Sequence, residues 1–204
     1  MARKRRSCPA GLTFHLCNRS AGGITLFQTP FDYVQVLEVF REALKKFPVS
    51  VFAYCIMPNH WHLLAQAQEP RSISRFMHWF GTTHAARWRS SHNSTGQGAV
   101  YQNRFRSHLV EGATAFLKTA AYIERNPLTS ELVREVTAWP WGSAGPRQAI
   151  PLKAWPAPKP KNWIRSLAHP HDAEVLRQIR HATVSATPFR DHDLAKTSET
   201  NFPT

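Results

Sequence analysis

Apolar residues recur along the first 130 positions with two spacings, one typical of strands and one typical of helices. Short runs rich in β-branched, aromatic and aliphatic residues predict strands over Leu12–Cys17, Val49–Cys55 and His60–Gln66, with weaker strands at Ala99–Tyr101 and Phe105–Val110. A Met57-Pro58-Asn59 turn separates the second run from the third, so we expect these two strands to form an antiparallel pair.

Three segments show the helical spacing. The first begins with Thr29 as its cap, Pro30 in the first turn and Asp32 at the third helical position, and it ends before Pro48. The second is predicted to begin at a capping Ser72 and to end before the polar run 90–96. The third is predicted to run from a capping Thr114 to Asn126. Pro127 disfavours helical geometry at the residue before it. The apolar face of the first helix contains Tyr33, Leu37, Phe40, Leu44 and Phe47.

The character of the chain changes near residue 139. Six prolines lie between Pro140 and Pro160, which excludes a regular helix or a central strand there. We expect an extended connector whose Trp139, Trp141 and Trp155 dock on the main domain, then a short helix over Asp172–His181 and a frayed end over Lys196–Thr204. The predicted organisation is a basic arm (1–11), a core (12–138) and a connector with a C-terminal extension (139–204).

Composition narrows the class of protein. The chain has 204 residues with 26 Lys+Arg against 13 Asp+Glu, and the resulting net charge of +13 favours a polyanionic partner, with nucleic acid as the default. No apolar run approaches the roughly 18–20 residues that span a bilayer, so no membrane partner is expected. Three cysteines without a CxxC spacing fit a reducing cytoplasm better than a disulfide scaffold.

The first candidate for chemistry is the pair His60 and His62. Residues two apart on a strand face the same way, so their imidazoles would lie side by side while Trp61 packs on the opposite face. Two adjacent imidazoles form half of a site for a divalent metal. The alternative is an exposed histidine beside one that is satisfied by a hydrogen bond.

The second candidate is Tyr122, which lies in helical register with Lys118 and Asn126. It lies about 140° around the helix from the apolar face, so its hydroxyl should not be buried with that face. A phenol needs a nearby cation or an activated electrophile to act as a nucleophile, and Lys118 could lower its pKa. The alternative is a tyrosine that simply packs at a helix edge.

Together these motifs resemble the single-tyrosine HUH (His-hydrophobic-His) transposases, most closely the REP-associated tyrosine transposases. Two elements, Met-Pro-Asn-His-x-His and Tyr-Ile-x-x-Asn-Pro, carry most of the resemblance, which extends over about 12–191. The matched stretches begin at Phe14-His15, Tyr54-Cys55, Tyr101-Gln102, Tyr122-Ile123 and Trp139-Pro140, with Trp155–Trp163 and Thr187–Asp191 resembling the C-terminal extension of the REP-associated branch.

The resemblance implies an α+β fold with a ferredoxin-like core, a central antiparallel sheet and flanking helices. It implies that His60 and His62 bind Mg²⁺ or Mn²⁺ with Asn126, and that Tyr122 is the nucleophile. The substrate would be single-stranded DNA that carries a REP-type hairpin beside a short guide tetranucleotide. Cleavage would leave a 5′-phosphotyrosine and a free 3′-OH, and the step could be reversed to rejoin DNA.

The sequence allows more than one function and more than one oligomeric state. A catalytically quiet hairpin-binding protein, or a hydrolase in which water attacks in place of Tyr122, would share much of this sequence. Either a monomer or a homodimer fits, no obligate protein partner is implied, and a nucleoid-associated place in the cytoplasm is expected.

Basic residues supply the candidates for DNA contact. Arg104 and Arg106 are predicted to share one side of a strand and to contact phosphates, and Arg19 lies in the first matched stretch. His15 is predicted to pack rather than to act as a third imidazole ligand. The remaining DNA-binding candidates are Lys118 and the basic arm residues Arg3, Lys4, Arg5 and Arg6.

Overall fold

The computed structural model describes residues 8–146 and 149–194 and contains a five-stranded sheet with the order β2-β3-β1-β4-β5. All neighbouring strands are antiparallel except β4 and β5, which are parallel. The connectivity of the first four strands and two helices is ferredoxin-like, so the predicted fold class is confirmed. The strands are β1 (Thr13–Arg19), β2 (Val49–Met57), β3 (His60–Ala67), β4 (Arg106–Glu111) and β5 (Phe189–Arg190).

Helices cover both faces of the sheet. On one face, α1 (Pro30–Lys46) and α2 (Ser72–Ser91) pack against a core that contains Trp61 and Leu16. On the other face, α3 (Ala113–Thr129) packs with elements of the C-terminal segment. These elements are α4 (Trp163–Ser166), α5 (Ala173–Ser185) and α6 (Asp191–Leu194).

The first helix and the β2–β3 hairpin agree with the sequence. Thr29 caps α1, and Asp32 returns the bond by accepting the backbone N–H of Thr29 at 2.9 Å, which completes a capping box. In the hairpin Met57 lies opposite His60, so the turn falls at Pro58 and Asn59 as predicted.

Two predicted helix caps are wrong. Ser72 is the first residue of α2, and its cap position is taken by Arg71 with a φ of 66°. Thr114 lies inside α3, whose cap position is Gly112 with a φ of 97°. The backbone N–H of Ala115 donates instead to a carboxylate oxygen of Asp191 at 2.6 Å. A side chain 76 residues away therefore satisfies the start of α3, which local sequence could not reveal.

Other boundaries also moved. α3 continues through Pro127 to Thr129, and because only two helical residues follow the proline, the lost bond and the crowding of its ring are confined to the last turn. Segment 99–101 forms an isolated bridge between Tyr101 and Ser20 in place of a strand. Arg104 lies in a bend before β4, so it does not alternate with Arg106 along a strand.

The connector docks on the core through its tryptophans, as predicted. Trp139 donates its indole N–H to the Ile56 carbonyl at 3.0 Å, and Trp155 donates to the Phe52 carbonyl at 3.0 Å. Trp141 stacks on Tyr33 with ring centroids 4.6 Å apart. Trp139 and Trp155 thus bond to β2 at the edge of the sheet, and all three rings pack against the hydrophobic cores of the sheet.

A buried carboxylate joins the C-terminal segment to α3. Glu124 accepts hydrogen bonds from the Ser143 hydroxyl and the Trp163 indole N–H, each at 2.6 Å. Burial raises the pKa of this carboxyl, whereas the two donors and Lys159 oppose the shift.

The predictions for the two ends of the chain fall partly outside the described residues. The predicted helix over Asp172–His181 is present as α5, but Asp172 is its cap rather than its first residue, and the helix runs past His181 to Ser185. The arm residues Arg3–Arg6 and the segment Lys196–Thr204 lie outside the described residues. Among the helices that the structure describes, none combines the length and hydrophobicity needed to cross a bilayer.

Candidate active site

The two histidines of the HxH motif lie at the start of β3 and face α3. Their ring centroids are 5.0 Å apart, and Trp61 between them is fully buried on the opposite face. Strand alternation therefore places the imidazoles together, as the spacing predicts. The His60 ring also hydrogen-bonds the Asn59 side chain at 2.7 Å.

Both imidazoles are held neutral. Burial lowers the pKa of His60 to about 4, with a smaller contribution from the nearby Arg19. Burial also lowers the pKa of His62, helped by the neighbouring His60 and His108. A neutral imidazole has the lone pair that a metal ligand requires, so both residues are suited to binding a cation near neutral pH.

Tyr122 projects from α3 over these histidines. Its ring lies edge-on to His62, with centroids 5.5 Å apart, and to His15 at 5.8 Å. One turn further on, Asn126 donates its side-chain N–H to the Tyr122 carbonyl at 2.8 Å and also hydrogen-bonds His60. The structure thus brings together the predicted nucleophile and the three predicted metal ligands.

The cation at the Tyr122 hydroxyl is Arg180 of α5, not Lys118 as the helical spacing suggests. Burial raises the pKa of Tyr122, while hydrogen bonds from Arg180 and Asn126 lower it. Lys118 lies near Asp172 and His171 instead, and burial lowers its own pKa. The packing of α5 against the site, rather than the spacing of residues along α3, therefore decides which cation contacts the Tyr122 hydroxyl.

Two more imidazoles, those of His15 and His108, lie beside the HxH pair on the next strands of the sheet, β1 and β4. His15 on β1 is 1% exposed, and its Nε2 atom is 2.8 Å from Nδ1 of His62. His108 on β4 lies opposite His15 in the sheet, with ring centroids 4.8 Å apart. The Thr183 hydroxyl of α5 lies 3.5 Å from Nδ1 of His15 and 3.3 Å from Nδ1 of His108. His15 is therefore buried, as predicted, but it contacts a candidate ligand directly rather than merely packing.

Cys17 is a further group near this layer. Its sulfur and ring nitrogens of His15 and His62 all lie within 4.8 Å of one another. Burial raises the pKa of Cys17 to about 12, so the thiol is protonated near neutral pH. The imidazoles are consequently the better metal ligands at that pH.

The arginines predicted to contact DNA lie at different places around the site. Arg19 is exposed at the end of β1 directly opposite His60, and Arg106 is exposed at the start of β4 near Cys17. Arg104 lies on the other face of the sheet, where a groove of about 1300 Å³ separates α2 from the loop before β4. Arg71, Arg75 and Arg89 also line this groove.

Comparison with known proteins gives the family. The model of the family described as Transposase IS200 like matches residues 10–126. The chain therefore belongs to this transposase family, and the match includes both histidines, Tyr122 and Asn126.

Two further similarities are to REP-associated tyrosine transposases. A protein of Haemophilus influenzae (strain ATCC 51907 / DSM 11121 / KW20 / Rd) that carries the name REP-associated tyrosine transposase is 24% identical over 121 residues, covering 55% of this chain and 69% of that protein. The solved structure of a REP-associated tyrosine transposase bound to a REP hairpin matches with a TM-score of 0.58. That match has 18% identity and covers 70% of this chain and 82% of the other, so it shows a shared fold.

Sequence reasoning missed Arg180, Thr183 and the role of His15. The alternation of His15 with Cys17 and Arg19 on one strand could have placed His15 on the face of the HxH pair. Arg180 and Thr183 are three apart and so share one side of a helix, but nothing local indicates what that side covers.

Proposed function

We propose that this chain cleaves and rejoins single-stranded DNA through a covalent bond to Tyr122. The observation that carries the proposal is the position of this tyrosine, edge-on to His62 and one helical turn from Asn126. The transposase family supports DNA strand transfer as the class of reaction.

A divalent cation fits the donor set. His60, His62 and Asn126 offer two neutral imidazoles and an amide oxygen; the oxygen suits either Mg²⁺ or Mn²⁺, and the two nitrogens favour Mn²⁺ of the two. When bound, such a cation would polarise the scissile phosphate and offset the charge that develops on it. No carboxylate is part of this predicted set.

The protein's own groups account for the remaining chemistry. The Tyr122 oxygen attacks phosphorus, an O–P bond to the tyrosine forms, and the bond from phosphorus to the 3′ oxygen breaks. The phenol loses its proton and the leaving oxygen gains one, which yields a 3′-OH. Arg180 at the hydroxyl stabilises the phenolate that develops during attack. Because the ester conserves the bond, a 3′-OH can attack it and rejoin DNA.

The proposed substrate is single-stranded DNA with a REP-type hairpin. The structurally similar transposase is bound to a REP hairpin, and a net charge of +13 supplies the attraction for phosphates. Arg19 and Arg106 lie on or beside the histidine face, where they could hold the backbone of the cleaved strand. Arg104, with the other three arginines of the groove, provides a second basic surface on the opposite face.

The decisive experiment separates the nucleophile from the metal ligands. Labelled REP-type single strands are incubated with Mn²⁺ and resolved on a denaturing protein gel, using wild type, Tyr122→Phe and His60→Ala. We expect a covalent adduct for wild type and for the control variant Tyr33→Phe, and none for Tyr122→Phe or His60→Ala. Metal binding should persist in Tyr122→Phe and weaken in His60→Ala. Tyr33→Phe is the matched control, because Tyr33 stacks on Trp141 on the opposite side of the sheet.

The outcomes distinguish the alternatives. Cleavage by Tyr122→Phe at a rate near wild type, with a free 5′-phosphate, would show that water attacks and that the protein is a hydrolase. Hairpin binding without cleavage by any form would identify a catalytically quiet binding protein. Equal affinity for random duplex and for the hairpin at matched salt would contradict hairpin recognition.

A further inference from the structure

His62 has a buried hydrogen-bond partner, His15 of β1. Nδ1 of His62 lies 2.8 Å from Nε2 of His15, and both rings are at least nine-tenths buried. Both rings are neutral because burial lowers their pKa values. One ring must therefore donate through its N–H and the other must accept through its lone pair.

The direction of this bond decides whether His62 can bind a cation. If His62 donates from Nδ1, its Nε2 atom carries a lone pair that can bind a metal. If His15 donates to Nδ1 of His62, the proton of His62 lies on Nε2 and blocks that atom.

Thr183 decides the direction. Its hydroxyl donates to the Ile179 carbonyl at 2.7 Å, which uses its only proton. Towards Nδ1 of His15, at 3.5 Å, the Thr183 oxygen can then only accept, which favours the His15 tautomer that carries its proton on Nδ1. A neutral His15 protonated on Nδ1 has a lone pair on Nε2 and accepts the N–H of His62.

We propose that Thr183 and His15 are positioning residues that fix His62 in the tautomer with a free Nε2 lone pair, and so prepare it for the catalytic cation. The inference rests on the proposed function, because it takes His62 to be a metal ligand. A partner on the second nitrogen of a metal-binding histidine fixes both the tautomer and the orientation of the ring.

The hydrogen bonds from His62 to His15 and from His15 to Thr183 are called the relay below. The surrounding groups are compatible with it. His108 also approaches the Thr183 oxygen, at 3.3 Å through Nδ1, and an oxygen with two lone pairs can accept from both rings. Cys17 is a protonated thiol near neutral pH and is a weak competitor for either bond.

The relay gives a structural role to helix α5. Thr183 lies beyond residues 10–126, the part of the chain that matches the family, and it reaches the site because α5 packs over β4. The same helix supplies Arg180 at the Tyr122 hydroxyl. The C-terminal segment therefore contacts both halves of the site.

The test compares the full chain with Thr183→Val, which removes the accepting oxygen, and Thr183→Ser, which keeps it. Ser185→Ala is the matched control, because it removes a hydroxyl that bonds the backbone of the same helix at an exposed position. The tautomer of His62 is read from imidazole ¹⁵N shifts of the protein in EDTA. The affinity for Mn²⁺ alone is then measured by the electron paramagnetic resonance of the free ion.

We expect wild-type His62 to carry its proton on Nδ1. Thr183→Val should give a mixture of tautomers and weaken Mn²⁺ binding in proportion to the fraction of His62 that lacks the Nε2 lone pair, so an equal mixture gives about a twofold loss. Thr183→Ser and Ser185→Ala should behave like wild type.

Either of two results would overturn the relay: a His62 proton on Nε2 in the wild type, or unchanged Mn²⁺ affinity in folded Thr183→Val. The wild-type tautomer is decisive even if Thr183→Val does not fold. Failure of the proposed function looks different, because wild type would then form no adduct with DNA whatever the His62 tautomer.

Discussion

Mild acid should unfold this protein, because it buries several neutral histidines. Burial is the main cause that lowers the pKa values of four of them, to about 4 for three and about 3 for the fourth. In the unfolded chain each would return to about 6.5. The four residues are His60, His108, His171 and, with the lowest value, His84.

The direction and size of this loss of stability follow from the linkage between proton binding and folding. A histidine whose folded pKa is depressed contributes stability that is fully present above pH 6.5 and is lost as the pH falls towards the folded pKa. At pH 5 the unfolded chain binds nearly one more proton at each of these sites, which costs about 2 kcal/mol per histidine. The four together remove about 8 kcal/mol, comparable with the roughly 5–15 kcal/mol that stabilise typical domains.

The assay is urea unfolding followed by tryptophan fluorescence and circular dichroism in EDTA, at steps between pH 8 and pH 5. We expect the free energy of unfolding to fall progressively below pH 6.5. The raised pKa of Glu124 acts in the opposite direction, because the folded protein takes up a proton at this buried carboxyl at a higher pH than the unfolded chain does. His171→Gln should flatten the dependence by up to about 1.4 kcal/mol per pH unit, the value for one proton.

A matched control keeps the test specific. His181→Gln replaces a solvent-exposed histidine of α5 and controls for the loss of a histidine from the surface. A free energy of unfolding that stays constant from pH 8 to pH 5.5 would refute the reasoning, because it would mean that the buried rings are protonated in the folded protein.

Two further predictions concern the folded scaffold. Trp163→Phe should destabilise the protein by about 1–3 kcal/mol in urea unfolding, because it leaves a buried oxygen of Glu124 without its indole donor. Trp79→Phe is the control, and an equal loss of stability in both variants would contradict this explanation. Asp32→Ala should cost about 1–2 kcal/mol, because its carboxylate caps α1 through Thr29, and an unchanged urea midpoint would show that the capping box contributes nothing.

Local pattern was sufficient for the parts of this protein that depend on neighbours in sequence. The capping box of α1, the β2–β3 hairpin and the opposite orientations of Trp61 and the two histidines all follow from short-range geometry. The i to i+4 spacing likewise placed Asn126 one turn beyond Tyr122. Such relations span a few residues, so the chain's own periodicity determines them.

Tertiary structure decided the rest. Asp191 at the start of α3, Arg180 at the Tyr122 hydroxyl, and His15 behind His62 are contacts between elements far apart in sequence. Helical register placed a cation, Lys118, near the tyrosine, but the fold turned that side chain towards Asp172 and brought in another from α5. Strand register and helix docking are set by how whole faces bury their apolar surface, and no local pattern contains that information.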